Sequence, residues 1–378
     1  MKIAIIGASV NGLTCALLLK QCGIKVEVFE SGQSLAQTDE MALGALIWPQ
    51  GVDVLRFVLS REQLLGAGHP VASMDIHNAG GEPFYQVPVS QEECGDDAGE
   101  AFVFDRQRLL QILSESLGTG RIRYGMACEK ITTVNNRSLV HFGDGCVQAF
   151  DLVINADNLH TLTDLFSAND TPTDTGMAVI SGMTHFDHAM LSEQNSQMFL
   201  CENARLITYC VDRQSNKRYW SVIYQHNGQA LWHKGDVVGQ LAGVPAPLLE
   251  MINSTREGDT RQRVIRSLSN GKAWYRELNL SLGRQLKGEL NQLGYGITVA
   301  LENAFMLTRY LIDCNRQQLP GMLRRYQNKA SFNAKVMLAM MDEMTDIFYQ
   351  GDEYNIYREF KFQGGVSRYH TRQMKNTA

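Results

Sequence analysis

Residues 2–6 (Lys-Ile-Ala-Ile-Ile) form a short apolar, β-branched run with no polar alternation, the pattern of a strand buried on both faces. A turn bounded by glycines follows, Gly7-Ala8-Ser9-Val10-Asn11-Gly12. Leu13, Ala16, Leu17 and Leu19 then mark a helical stripe that stops at Gly23, and Lys25-Val26-Glu27-Val28-Phe29-Glu30 reads as a second strand. Strand, glycine turn, helix and strand within 30 residues make one βαβ unit.

Further on the pattern alternates between the two periods. Residues 45–66 mix helix and turn. Residues 71–90 read as strands broken by Asn78-Ala79-Gly80-Gly81, and the acidic stretch Gln91 to Glu100 reads as a surface loop. Leu109, Leu110, Ile112, Leu113 and Leu117 recur at helical spacing, which predicts a helix over 106–117. Strand signals follow at 121–133, 137–142 and 147–154, with Asp144-Gly145 as a hairpin turn between the last two. Residues 176–226 again read as strands, and 296–313 and 320–349 as helices, with Pro320 suited to a first helical turn.

Charge narrows the function. Lys and Arg number 35 against 40 Asp and Glu, a net −5, the opposite of a nucleic-acid grip. No run approaches the roughly 20 apolar residues of a membrane span. The apolar run after Met1-Lys2 is too short for a signal core, and no cleavage site follows it. The eight cysteines include no C-x-x-C pair, so neither zinc nor a disulfide framework is signalled, and the expected location is cytoplasmic. His185 and His188 lie three apart without a third ligand nearby, and are expected in ordinary roles. Met337, Met340, Met341 and Met344 fall at helical spacing, with core packing as the default reading and docking of a partner helix as the other. Of Tyr219, Trp220, Tyr224 and Trp232, most are expected to pack and one or two to wall an aromatic pocket.

The glycine turn carries the chemistry. Gly7 allows the tight turn, a small residue at Ser9 lets a pyrophosphate approach the backbone, and Gly12 lets the helix pack closely on the strand. Val10 and Asn11 open the helix, whose N-terminal amides face the phosphates. Glu30 ends the second strand 18 residues after Gly12, where its carboxylate can accept from both ribose hydroxyls of an adenosine without a 2′-phosphate.

With these residues in place, the sequence resembles the FAD-dependent aromatic hydroxylases, the group A flavoprotein monooxygenases with the p-hydroxybenzoate hydroxylase fold. The resemblance runs over roughly residues 1–345. The opening βαβ is similar to theirs, as is Gly44-Ala45-Leu46-Ile47-Trp48-Pro49-Gln50-Gly51-Val52. Arg106-Gln107-Arg108-Leu109-Leu110 matches their FAD-contacting arginine before a helix, and Asp151–Asp157 resembles the strand entering their Asp-Gly motif. Leu293 to Ala304 matches their glycine-rich loop and helix. The cofactor contacts implied are Gly7, Ser9, Val10, Asn11, Gly12, Glu30, Arg106, Cys128, Asp157, Arg284, Gly294, Gly296, Ile297 and Thr298. The resemblance names no obligatory catalytic acid or base.

Several positions depart from the family. Gly283-Arg284 stands where it has Gly-Asp, Lys287 replaces a histidine, and Leu290 and Asn291 replace prolines that line the flavin. Asn158 and Asp164 replace the glycine and arginine of the Asp-Gly region, and Thr298 an asparagine. Arg284 only donates hydrogen bonds, so its expected role is to pair with the pyrophosphate or the flavin carbonyls as a cation.

The expected fold class is α/β: a Rossmann-like GR2-type FAD-binding domain (1–70, 100–175 and 265–349) carrying an inserted mixed β-sheet substrate domain (71–99 and 176–264), with C-terminal helices and a tail over 350–378. The expected function is FAD-dependent monooxygenation of an aromatic or heteroaromatic substrate through a C4a-hydroperoxyflavin, with NADH or NADPH as reductant. Two alternatives stand beside it: a flavoprotein that modifies a protein-bound or carrier-bound residue, as in cofactor maturation, with a protein-bound aromatic residue as its partner, and a pseudoenzyme that keeps the fold for binding.

Overall fold

The computed structural model describes residues 1–37, 43–88, 99–118, 120–156, 173–202, 204–226, 228–241, 243–267, 275–282 and 295–349. The first βαβ unit is β1 (Lys2–Ile6), α1 (Val10–Gln21) and β2 (Lys25–Phe29). Next come β3 (Gly44–Ile47), α2 (Pro49–Arg56), α3 (Arg61–Leu65), β4 (Gly68–Val71), β5 (Ser73–Asn78), β6 (Pro83–Pro88), β7 (Ala101–Asp105), α4 (Arg106–Leu117) and β8 (Ile122–Arg123). A meander of β9 (Cys128–Val134), β10 (Arg137–Phe142) and β11 (Val147–Phe150) leads into β12 (Leu152–Asn155). Then follow β13 (Thr173–His185), β14 (Ser196–Leu200), β15 (Ala204–Asp212), β16 (Lys217–Gln225), α5 (Lys234–Gln240), α6 (Ala246–Ser254), β17 (Thr260–Ser267), β18 (Tyr275–Arg276), β19 (Asn279–Ser281), α7 (Tyr295–Leu311) and α8 (Leu319–Tyr349).

Among the described residues the first sheet runs β18-β19-β12-β1-β2-β8, parallel except for the β18–β19 pair at one edge. β1 is central, and its unbroken apolar run fills both faces. Ile3 and Ile5 pack with Leu13 and Leu17 of α1, Leu109 and Leu113 of α4, and Leu301 and Ala304 of α7. Ala4 and Ile6, one residue out of step, join Phe29, Val140, Phe142 and Phe150 beneath the meander. There Phe29 packs edge-on to Phe150 at 5.7 Å and tilted on Phe142 at 4.7 Å, contacts each worth about 0.5–1.5 kcal/mol beyond burial.

The second sheet runs β17-β13-β16-β15-β14-β5-β6, antiparallel but for β14 beside β5. Strand alternation gives it two different faces. Leu206, Trp220, Val222 and Tyr224 pack on Val237 of α5 and on Leu248, Met251 and Ile252 of α6. Met198, Ile207 and Tyr209 turn the other way and join the core of the first sheet. Between the two lies the small antiparallel sheet β3-β7-β4.

Most elements fall where the pattern predicts them, and α4 has the predicted bounds. The 45–66 segment differs, since it opens with strand β3 before its helices. The four residues Gly44 to Ile47, ahead of Trp48-Pro49, are too few to set a period, and pairing with β7 decides their conformation. The acidic loop lies mostly outside the described residues, as does the 350–378 tail. Among the described residues no helix is long and apolar enough to cross a membrane, and no group of three or more His, Cys, Asp or Glu is placed to hold a metal.

Candidate functional site

The glycine turn sits where the strand order reverses, at the carboxyl ends of β1 and β12, the crevice in which open α/β sheets take ligands. Gly7 has φ +100° and donates its amide to Phe29 O at 2.8 Å. Ser9 caps α1, its Oγ accepting from Gly12 N at 3.2 Å and donating to Ala156 O at 3.0 Å. A Cβ on Gly12 would stand 2.2 Å from Gly7 O and 3.1 Å from Ala156 Cβ, so only glycine lets the helix start this close to the strands. The first turn of α1 holds no acidic residue, which leaves its positive end open to an anion.

Glu30 is buried beside this turn. Oε2 accepts from Ala8 N at 2.9 Å, while Oε1 accepts from Gly32 N at 2.8 Å and from Ser31 Oγ at 3.2 Å. A carboxylate has about four acceptor sites, so capacity remains for a ligand hydroxyl. Asn11 Oδ1, on the same turn, is buried without a hydrogen-bond partner among the described residues. A glycine cradle, a helix N-terminus, a fixed carboxylate and an orphaned acceptor fit the adenosine and pyrophosphate of a dinucleotide.

A second constellation lies between the two large sheets. Arg106 starts α4, and Asp105 caps that helix, its Oδ1 accepting from Gln107 N at 3.0 Å and Arg108 N at 3.2 Å. Asp105 Oδ2 pairs with Lys217 Nζ at 2.6 Å. Arg106 is buried and lines a cavity of about 130 Å³ together with Gly44, Tyr209, Tyr219, Ser221, Arg263, Gly296 and Ile297. Register explains the lining. Arg263, Val179 and Ile223 share one row across β17, β13 and β16, and Tyr219 lies opposite Tyr209 on β15. The two tyrosine rings are 4.9 Å apart, and a Cβ on Gly44 would stand 2.7 Å from Tyr219 Cγ and 2.8 Å from the Tyr209 hydroxyl. Burial pushes both phenols above their ordinary value, so they remain neutral donors. Arg106 borders a second, wider cleft of about 780 Å³ that also meets Arg108, His185, Lys217, Arg256 and Arg261.

The predicted residues divide as follows. Gly7, Ser9, Val10, Asn11, Gly12 and Glu30 gather at the turn; Arg106, Gly296 and Ile297 gather at the cavity. Thr298 is fully buried one residue beyond, where its Oγ1 accepts from Trp48 N at 3.0 Å. Cys128 is buried in the meander core, its Sγ directed to Lys130 O. Asp157, Arg284 and Gly294 lie outside the described residues, as do Asn158, Asp164, Lys287, Leu290 and Asn291. Of the four aromatic residues singled out, Tyr219 reaches the cavity. Trp220 points away and donates to Thr255 Oγ1, and Tyr224 stacks on Trp232. Sequence reasoning missed Tyr209 and Arg263; period-2 alternation within 204–212 and 260–267 is the signal that puts them on the inner face.

No family model matches the chain. The chain is 30% identical over 185 residues to a 3-amino-4-hydroxybenzoate 2-monooxygenase of Streptomyces cremeus, covering 48% of this chain and 46% of that one. It is 20% identical over 352 residues to a 6-hydroxynicotinate 3-monooxygenase of Bordetella bronchiseptica, covering 90% of this chain and 91% of that one. Among solved structures, HpxO of Klebsiella pneumoniae complexed with FAD and uric acid superposes with a TM-score of 0.80 at 19% identity, over 97% of this chain and 93% of that one. The alignments to the first two curated relatives span less than half of their length, 46% and 41%. The fold is that of the FAD-binding aromatic hydroxylases. Relatives in both comparisons include FAD-dependent monooxygenases and aromatic hydroxylases, consistent with the group A flavoprotein monooxygenase family that the sequence resembles.

Proposed function

We propose that the protein is a FAD-dependent monooxygenase that hydroxylates a small aromatic or heteroaromatic compound, with NADH or NADPH as reductant. The observation that carries this reading is the Gly7–Gly12 turn with Glu30 buried against it, in the same chain as an aromatic-walled cavity at the start of α7. Relatives that act on aminohydroxybenzoate and hydroxynicotinate support it.

FAD, when bound, supplies the redox and oxygen chemistry, and the chain's own residues bind, orient and exclude water. Glu30 would accept from the adenosine ribose, and the α1 amides would face the pyrophosphate. Gly296 and Ile297, in the first turn of α7, present that helix's positive end to the cavity, where negative charge on a reduced flavin ring would be favoured. Tyr209 and Tyr219 offer neutral hydroxyl donors to a ring substituent. Their burial among Ile207, Ile223 and Ile265 keeps water from the reacting face.

The test is the absorbance spectrum of the purified protein, followed by NADH and NADPH oxidation with and without hydroxylated aromatic acids. A flavin spectrum and oxidation stimulated by at least one such acid, with oxygen incorporated into it, are expected. A protein that takes up no flavin at saturating FAD overturns the reading.

A further inference from the structure

The cavity between the sheets is small. Its volume of about 130 Å³ falls well under the ~300–1,000 Å³ of pockets that hold drug-sized ligands. It lies close to the ~150 Å³ of an engineered apolar cavity that takes one benzene. A single six-membered ring with small substituents fills such a space, and a second fused ring does not fit beside it.

The walls have little freedom to withdraw. Tyr209 and Tyr219 stand opposite each other on β15 and β16, their ring centroids 4.9 Å apart. Gly44 on β3 backs the pair. A Cβ there would stand 2.7 Å from Tyr219 Cγ, 2.8 Å from Tyr219 Cδ2 and 2.8 Å from the Tyr209 hydroxyl. No methyl group fits between β3 and the Tyr219 ring, so the gap between that strand and the second sheet is closed at this point. β3 is held in turn by its pairing with β7 from Gly44 to Ile47, and β7 is held by β4 on its other edge. On the sheet side, Ile207, Ile223 and Ile265 are buried. The opposite face of that sheet packs through Leu206, Trp220 and Val222 on α5 and α6. An interior packed on both sides resists an extra ring, because overpacking forces side chains off their rotamers.

We propose that Gly44, Tyr219 and Tyr209 form a size wall, that the site admits compounds with one six-membered ring and rejects fused two-ring compounds, and that Tyr219 is the specificity-determining residue. The inference rests on the reading of this cavity as the substrate site of a hydroxylase, and it narrows the substrate to single-ring aromatics and heteroaromatics. A flavin edge that enters past Gly296 and Ile297 takes room from the same space, so one ring is the upper limit. Tyr219 decides the limit because its ring meets both the Gly44 backbone and Tyr209. A cross-strand tyrosine pair is also an ordinary packing unit of a sheet. Packing alone predicts that cutting Tyr219 lowers stability and leaves the order of ligand preference as it was.

The test pairs each single-ring compound with its fused counterpart bearing the same substituents: salicylate with 3-hydroxy-2-naphthoate, 4-hydroxybenzoate with 4-hydroxy-1-naphthoate, 3-hydroxypyridine with 3-hydroxyquinoline. Calorimetry on the flavin-loaded protein reads binding, and absorbance reads flavin content on the same samples. In the parent, at least one single-ring compound is expected to bind about tenfold or more tighter than its fused partner. In Tyr219→Ala that ratio is expected to fall to near one, or to reverse, at unchanged flavin content. Tyr219→Leu removes less of the wall, so an intermediate ratio is expected; it carries the test if the alanine variant does not fold. Tyr219→Phe keeps the ring and loses the hydroxyl, so the ratio should stay at the parent value even where both partners bind more weakly. A panel in which no single-ring compound outbinds its fused partner overturns the size wall. So does a ratio unmoved by the alanine and leucine substitutions, or one that Tyr219→Phe moves as far as Tyr219→Ala. Absence of flavin, or of any stimulated NADH or NADPH oxidation, while the ring-size preference persists in titrations of the protein as purified, overturns the hydroxylase reading instead and leaves the size wall standing.

Discussion

Trp48 and Tyr295 stack at 4.3 Å with their planes 9° apart, which ties the entry of α2 to the first residue of α7. Thr298 closes the same joint by accepting from Trp48 N at 3.0 Å, and Gly51 makes room for it, since a Cβ there would stand 3.0 Å from Thr298 Cα. The joint fixes the turn that carries Gly296 and Ile297 into the cavity. Chemistry at this site therefore depends on side chains that do not line it.

Thr298→Val tests that dependence. The change conserves shape and removes the acceptor from a buried amide, so a loss of about 1–3 kcal/mol in unfolding free energy is expected. A weaker hold on flavin should accompany it, because the α7 N-terminal turn loses its register against β3. Urea unfolding and flavin titration check the two effects. A variant with unchanged values for both would remove Thr298 from the joint.

Gly12 and Gly23 separate two reasons for glycine. Gly12 has no room for a Cβ, because backbone oxygen Gly7 O would lie 2.2 Å away; Gly23 has open space but φ +74°. Gly12→Ala is expected to cost about 3 kcal/mol or more, or to prevent folding, as overpacking against backbone cannot relax cheaply. Gly23→Ala should cost about 1 kcal/mol, the left-handed penalty alone. Thermal unfolding of the two variants checks the order, and equal costs would argue against the close helix–strand approach at the turn.

Glu30 holds the turn through Ala8 N and Gly32 N, and in the proposed reading it also offers an acceptor to ribose. Glu30→Ala removes the acceptor of Ala8 N and Gly32 N, so it should lower stability by about 1–2 kcal/mol and weaken FAD binding by about 1–3 kcal/mol. Glu30→Gln keeps the shape and one carbonyl acceptor, and it should lose less of each. Flavin dissociation constants alongside urea midpoints check this; FAD affinity unchanged in both variants would take the carboxylate out of the cofactor site.

The turn is legible in the sequence because every part of it is local. Gly7, Ser9, Gly12 and Glu30 lie within one βαβ unit, and their spacing is itself the signal. The helix over 106–117 is legible for the same reason, with a full amphipathic period and an Asp105 cap. The cavity is less so. Tyr209, Tyr219 and Arg263 come from three strands, and they meet only through the register of β15, β16 and β17 around β13. Nothing near Arg263 in sequence distinguishes it from Arg261 or Arg266, one lining the cleft and the other exposed. Strand β3 escapes the pattern because four residues carry no period, and it is the strand that places Gly44 under the tyrosine pair.

His69 on β4 gives the fold a pH dependence with a definite sign. Burial pushes its imidazole from 6.5 down to about 4, and the charges of Arg213 and Arg218 push the same way, against the Glu193 backbone carbonyl and Asp212. In the unfolded chain the ring takes up a proton below about 6.5, while the folded chain keeps it neutral until about 4. The unfolded state therefore binds more protons across that window, so this contribution is fully present above pH 6.5, fades as pH falls, and is gone by about pH 4. A shift of this size corresponds to about 3 kcal/mol, and screening of a ring that is not wholly enclosed reduces it to about 2 kcal/mol. His69→Gln removes the titration, so between pH 7 and pH 4 the variant should lose about 2 kcal/mol less stability than the parent. Urea unfolding of both proteins at one-unit pH steps measures the difference. Parallel curves would mean that His69 takes up its proton in the folded protein as readily as in the unfolded chain.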